Sequence, residues 1–116
     1  MKIDFNKIAE GIVPNFKGGE GMYIRRLYSD GKVKIMMGKL RPGHSIGLHR
    51  HEGSSEVFYI LSGEGTCLYE GEQEILRPGD VHYCPMGKEH TLMNKGSEDL
   101  TFFAVVPEHL LGVPEQ

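Results

Sequence analysis

The stretch GLHRHEGSSEVFYILSGEG runs from Gly47 to Gly65 and holds the pattern that decides the reading of the chain. His49 and His51 are one residue apart, and Glu56 follows five positions after His51. In an extended chain, side chains two apart share a face, so His49 and His51 project together and Arg50 points the other way. After a bend at Glu52–Ser55 the chain enters EVFYILS, rich in β-branched and aromatic residues as half-buried strands are. Glu56 can therefore return from this next strand onto the same site. Imidazoles with a carboxylate suit Mn, Fe, Co, Ni or Zn. Taken alone, the pattern leaves two readings open: a metal centre, or a strand carrying surface histidines.

Outward from this stretch the chain reads as a series of strands. Sixteen glycines punctuate short apolar or alternating runs. MYIRRLYS (Met22 to Ser29) ends at Asp30-Gly31, a hairpin dipeptide. KVKIMMGKL (Lys32 to Leu40) follows and stops at Pro42-Gly43. TCLYE and QEILR flank a tight turn at Gly71, and VHYCP, HTLMN and LTFFAVV complete the set. This gives roughly eight to ten strands at the spacing of a sandwich or barrel, with no helical periodicity over a useful window. The tail PEHLLGVPEQ has room for one helical turn opening at Pro107. The expected organisation is an irregular segment or edge strand over 1–21, with NFKGGEG as a mobile loop, then a barrel over 22–107 and a tail over 108–116.

Composition narrows the function classes. A hydrophobic fraction of 39% and a charged fraction of 25% are ordinary for a globular protein. With a net charge of -3 and no basic block, nucleic acid is not an expected partner. No apolar run approaches the length of a membrane span and the N-terminus has no signal-peptide core, so the expectation is a cytoplasmic protein without a membrane partner. In that compartment Cys67 and Cys84 are expected as free thiols.

The second half of the chain bears on the metal question. The first segment reads Gly43, five residues, His49, one, His51, four, Glu56, six, Gly63. The second reads Gly79, five residues, Pro85, one, Gly87, two, His90, three, Asn94. In order and spacing these resemble the two motifs of the cupin superfamily, with no departure at a defining position, and the short stretch between them resembles that of compact microbial members. The resemblance implies an all-β fold, the double-stranded β-helix or jelly-roll barrel. It also implies a fourth ligand, His90, so that His49, His51, Glu56 and His90 bind one divalent transition metal ion (Mn, Fe, Zn, Ni or Co). Such a set leaves open positions on an octahedral ion, as catalytic sites need.

Asn94 is expected to be structural or to support the ligands. By strand alternation Phe58 and Ile60 face inward with Glu56, as pocket wall or barrel core, and Met36, Met93, Phe102 and Ala104 are similar cases. His82 is placed at the cavity mouth or on a strand surface, His44 and His109 in solvent, and Cys84 as a buried, unreactive thiol. Tyr23, Arg25 and Tyr28 are expected to reach the barrel mouth, with Arg25 or Arg26 as a carboxylate clamp. Glu52 has the wrong parity for the site and is expected to face solvent.

The resemblance implies a small-molecule ligand and a homodimer, with MYIRRLY and EHLLGV as candidate contact segments. It suggests a metal-dependent enzyme, of dioxygenase, decarboxylase or isomerase type, acting on a small polar or acidic metabolite. The alternative is a non-catalytic sugar- or carboxylate-binding module. A fold hosts many functions, so the choice falls to the site.

Overall fold

The computed structural model describes residues 1–109, and they form ten strands in two antiparallel sheets. The strands are β1 (Gly11–Pro14), β2 (Met22–Ser29), β3 (Val33–Leu40), β4 (Ser45–Arg50), β5 (Glu56–Ser62), β6 (Gly65–Tyr69), β7 (Glu72–Leu76), β8 (Val81–Cys84), β9 (Glu89–Met93) and β10 (Leu100–Pro107). The larger sheet has the order β1-β2-β3-β10-β5-β8 and the smaller β4-β9-β6-β7. This is the all-β jelly roll, and its two sheets face each other across one core. The larger sheet contributes Tyr23, Met36, Leu40, Phe58, Ile60, Phe102 and Ala104, while the smaller contributes Ile46, Cys67, Leu76 and Leu92. Alternation is clearest in β10, where Leu100, Phe102, Ala104 and Val106 are buried and the residues between them are half-buried.

Turn chemistry sets the register. Between β2 and β3, the Asp30 carboxylate accepts from the Lys32 and Val33 amides at 2.9 and 3.0 Å, and these bonds hold its pKa below the usual value. Between β6 and β7, Glu70 and Gly71 both have positive φ, 49° and 82°, the two-residue hairpin turn that matches strand twist. The turn from Pro85 to Lys88 is closed by the Lys88 amide donating to the Pro85 carbonyl at 3.2 Å, and it leads straight into β9.

The first 21 residues are more ordered than their sequence suggests. β1 pairs with β2 from Gly11 opposite Arg25 to Pro14 opposite Met22. Phe5 packs edge-on against Phe103 on the outer face of the larger sheet. Arg26 donates to the Phe5 and Ile8 carbonyls there, so it faces away from the barrel interior and is no carboxylate clamp. NFKGGEG packs against β4 rather than standing free. The Glu20 amide donates to Ser45 Oγ at 2.9 Å and the Ser45 amide to the Glu20 carbonyl at 2.9 Å. Backbones meet so closely that a β-carbon on Gly47 would fall on the Lys17 carbonyl. At the other end, Pro107 closes β10 instead of opening a helical turn, and 110–116 lie outside the described residues. No helix of the described residues is long and apolar enough to cross a membrane.

Candidate metal centre

Neighbouring strands of the smaller sheet bring two imidazoles side by side, because β4 and β9 pair His49 directly with His90. His51 follows the end of β4 and is locked to the Pro85–Lys88 turn. Its amide donates to the Lys88 carbonyl at 3.0 Å, and its carbonyl accepts from Gly87 at 2.7 Å. Glu56 opens β5 on the opposite sheet and reaches across. Its Oε1 lies 3.1 Å from His51 Nε2, 3.1 Å from His90 Nε2 and 3.9 Å from His49 Nε2. His51 Nε2 and His90 Nε2 are 3.0 Å apart. Ligand atoms of all four side chains fall within 4.8 Å of one another. His90, His51 and Glu56 are buried, at 0%, 6% and 7% exposure, and His49 is half-buried on the open side.

Each imidazole is held by its other nitrogen. His49 Nδ1 is 2.8 Å from the Gly47 carbonyl, which can only accept, so the proton sits on Nδ1 and Nε2 is bare. His51 Nδ1 is 2.9 Å from Ser54 Oγ, and His90 Nδ1 is 3.0 Å from His82 Nε2. Three Nε2 atoms thus converge on one carboxylate oxygen. An octahedral ion with bonds of about 2.1 Å has adjacent ligand atoms about 3.0 Å apart, the spacing found among His51, His90 and Glu56. The donor set and its spacing fit a divalent metal.

Electrostatics agree with that chemistry. Burial alone would raise the Glu56 pKa, but the adjacent His51 and His90 side chains outweigh it and hold it below the usual carboxylate value. Burial holds the His49 pKa down, outweighing its bond to Gly47. An ionised carboxylate beside a neutral imidazole is the protonation state that metal ligation requires.

His49, His51 and Glu56 line a cavity of about 270 Å³, and the fully buried His90 lies outside its lining. Arg25, Met36, Tyr23, Phe16 and Lys34 also line it, as does the exposed Glu52. Arg25 stacks over the Phe16 and Tyr23 rings, at 5.1 and 5.4 Å from their centroids. The buried Tyr23 hydroxyl has no hydrogen-bond partner among the described residues, and burial followed by the Glu56 charge raises its pKa, so it remains a neutral phenol.

Several expected placements change. Of the two readings left open for Phe58 and Ile60 the barrel core holds, since both are fully buried and lie outside the cavity lining. Phe58 lies parallel to the His90 ring at 5.2 Å and supports it from below. Asn94 does not touch the cluster: its amide donates to the Leu40 and Glu98 carbonyls at 2.8 Å each, and its oxygen accepts from Gly96, pinning the loop after β9. His82 is neither at the mouth nor on a surface but buried beneath His90. Burial holds its pKa down. His44 is half-buried, with Nδ1 accepting from the Met22 amide at 3.0 Å because Gly21 and Met22 at the start of β2 cover it. Tyr28 faces the outer cleft formed by Met1–Asp4, Lys7 and Ile8, on the opposite side of the sheet from Arg25. Met93 is half-buried on the alternate face of β9. His109 is exposed, although its Nε2 lies 2.9 Å from Ser55 Oγ. Both cysteines are free and buried, and burial pushes Cys67 and Cys84 up to about 12 and about 11, leaving them unreactive thiols.

Sequence reasoning passed over Ser54, Phe16 and Glu74. Ser54 lies in the bend between two candidate ligands, and its capacity to anchor a ring nitrogen was the available signal. Phe16 and Glu74 arrive through long-range packing and give no local signal.

With the geometry in place, comparison with known proteins gives a consistent result. The family model described as a cupin domain matches residues 36–106. An oxalate-binding protein of Thermotoga maritima is 34% identical, with 91% of this chain and 93% of that protein aligned. A Thermotoga maritima crystal structure described as a predicted oxalate decarboxylase superposes with a TM-score of 0.87 at 33% identity, covering 93% of this chain and 99% of that one. A quercetin 2,3-dioxygenase of Bacillus subtilis is 32% identical over 54% of this chain, but the match spans only 19% of that enzyme.

Proposed function

The chain belongs to the cupin family, and from that premise we propose that it binds one divalent transition metal through His49, His51, Glu56 and His90 and takes a small carboxylate of the oxalate type beside it. The observation that carries the reading is the convergence of three Nε2 atoms on Glu56, each ring anchored through Nδ1. A bound ion would supply Lewis acidity beside the cavity. The chain supplies the rest of the recognition. Arg25 forms no ion pair among the described residues, and its aromatic platform leaves the guanidinium fork free to meet a carboxylate. Lys34 and Lys17 also line the cavity. The 34% identical oxalate-binding relative supports this ligand class.

Calorimetry on metal-loaded protein tests the reading, with oxalate against acetate. Oxalate is expected to bind more tightly, and Arg25→Gln to weaken it about ten- to a hundredfold, the worth of a charge-assisted hydrogen bond. Metal content should not change in that variant. Equal oxalate affinity in wild type and Arg25→Gln would remove Arg25 from the ligand site.

One observation favours a catalytic second reading. Glu52 lines the cavity outside the cluster, and its exposed carboxylate is reachable from solvent. Release of carbon dioxide or formate from bound oxalate would make the protein a decarboxylase, and binding without turnover a binding module.

In this reading the functional unit is the barrel over 22–107 together with the preceding segment that carries Phe16 and Lys17, and the two free thiols are consistent with a cytoplasmic setting. The assembly we propose is a homodimer. β2 lies between β1 and β3 inside the sheet, so its strand edges are already used. Tyr59, Leu61, Val81 and Tyr83 form the better contact face, exposed on the outside of β5 and the edge strand β8. Light scattering is expected to give twice the chain mass, falling to a monomer in Val81→Lys, Tyr83→Glu; a monomeric wild type excludes the dimer.

A further inference from the structure

We propose that Glu74 and His82 are positioning residues that fix which nitrogen of His90 faces the metal. The inference rests on the metal-binding reading above and concerns groups outside the four-residue cluster. His90 is fully buried, and its Nδ1 lies 3.0 Å from Nε2 of His82. His82 is itself buried, at 4% exposure, and its Nδ1 lies 2.9 Å from Oε1 of Glu74. Glu74 sits on β7 with its side chain 42% exposed, so its charge keeps contact with water.

The polarity of this chain of bonds is set from the carboxylate end. An ionised carboxylate only accepts, so the facing nitrogen of His82 carries the proton. A neutral imidazole holds one proton, so Nε2 of His82 is bare and accepts in turn. The proton between the two rings then belongs to Nδ1 of His90. That leaves Nε2 of His90 bare, 3.1 Å from Glu56 Oε1 and 3.0 Å from His51 Nε2, where a metal needs a lone pair. The opposite polarity would set a lone pair of His82 against the Glu74 carboxylate and place the His90 proton inside the cluster.

Packing prevents the rings from escaping this arrangement. His82 and His90 stack at 5.2 Å, Phe58 lies against both, and Tyr69 meets His82 edge-on at 5.6 Å. Cys67 Sγ, at 3.7 Å from His82 Nε2, is a weak competitor, since its thiol is pushed up to about 12 by burial. The arrangement extends the common carboxylate–histidine–metal pattern by one further imidazole.

Two measurements test the proposal. Long-range proton–nitrogen NMR of the metal-free protein at pH 8 should show His82 and His90 both protonated on Nδ1. A proton on Nε2 of His82 overturns the polarity. Manganese titration should give an affinity about 10–100-fold weaker in Glu74→Ala. Glu74→Gln keeps an oxygen acceptor and should stay within about threefold of wild type. Residue 74 lies near the surface of a hairpin, so the barrel should fold in both variants, which circular dichroism checks. A wild type that binds manganese with an unchanged affinity in Glu74→Ala sinks this inference alone. A wild type that binds no metal overturns the metal reading and this inference with it.

Discussion

Protein carrying both His49→Ala and His90→Ala is expected to emerge from purification without metal, whereas the wild type should hold about one equivalent of one transition metal by elemental analysis. Neither preparation should carry a His-tag or meet added metal. The two substitutions remove ligands from adjacent strands of one sheet. What remains is His51 and Glu56, too few donors to compete with water and buffer for a divalent ion. The same contrast should appear in thermal unfolding. A ligand at a hundred times its dissociation constant stabilises the folded state by about 2.7 kcal/mol. Added metal should therefore raise the melting temperature of the wild type and leave the double variant unmoved. Metal absent from the wild type, with no gain on reconstitution, would turn the reading toward a barrel that binds its ligand without an ion. The identity of the metal also narrows the chemistry: iron points to oxygen activation, manganese to oxalate-type or isomerase chemistry, zinc or nickel to Lewis-acid work.

The sheet was legible wherever local chemistry decides. MYIRRLYS and EVFYILS match β2 and β5 residue for residue, because Asp30-Gly31 and Gly63 stop the strands and alternation marks the faces. The parity of His49 and His51 likewise follows from strand geometry. Their juxtaposition with His90 does not, since it depends on a pairing between β4 and β9 some forty residues apart in sequence; the family resemblance supplied it. Parity arguments failed where strands end. Asn94 sits four residues after His90, but β9 stops at Met93 and the side chain turns into the loop at Glu98. Exposure arguments failed where a distant segment covers the surface, as Gly21 and Met22 at the start of β2 cover His44. His82 misled for a related reason. A histidine in an alternating strand reads as surface until its partners, Glu74 and His90, arrive from two other strands.

Phe58→Ala is expected to be the most damaging single core substitution, because one ring serves both the barrel and the site. Phe58 is fully buried, meets Phe102 edge-on at 5.5 Å, and backs His90 and His82. Deleting a buried phenyl ring costs about 3–5 kcal/mol, as lost transfer energy plus a cavity. For a domain of this size that corresponds to a fall of roughly 10–20 °C in melting temperature. The cavity would open directly under His90, whose ring would then be free to tilt away from Glu56. Metal affinity should therefore fall together with stability. Phe58→Leu separates the two effects. Leucine refills much of the volume, so stability should recover to within about 1.5 kcal/mol of wild type. It offers no flat face against the imidazole, so the metal affinity should recover less than the melting temperature. Calorimetric unfolding and manganese titration on the two variants decide the matter. If affinity and stability recover in step, Phe58 acts only by filling space, and the orientation of His90 rests on His82 and Glu74 alone.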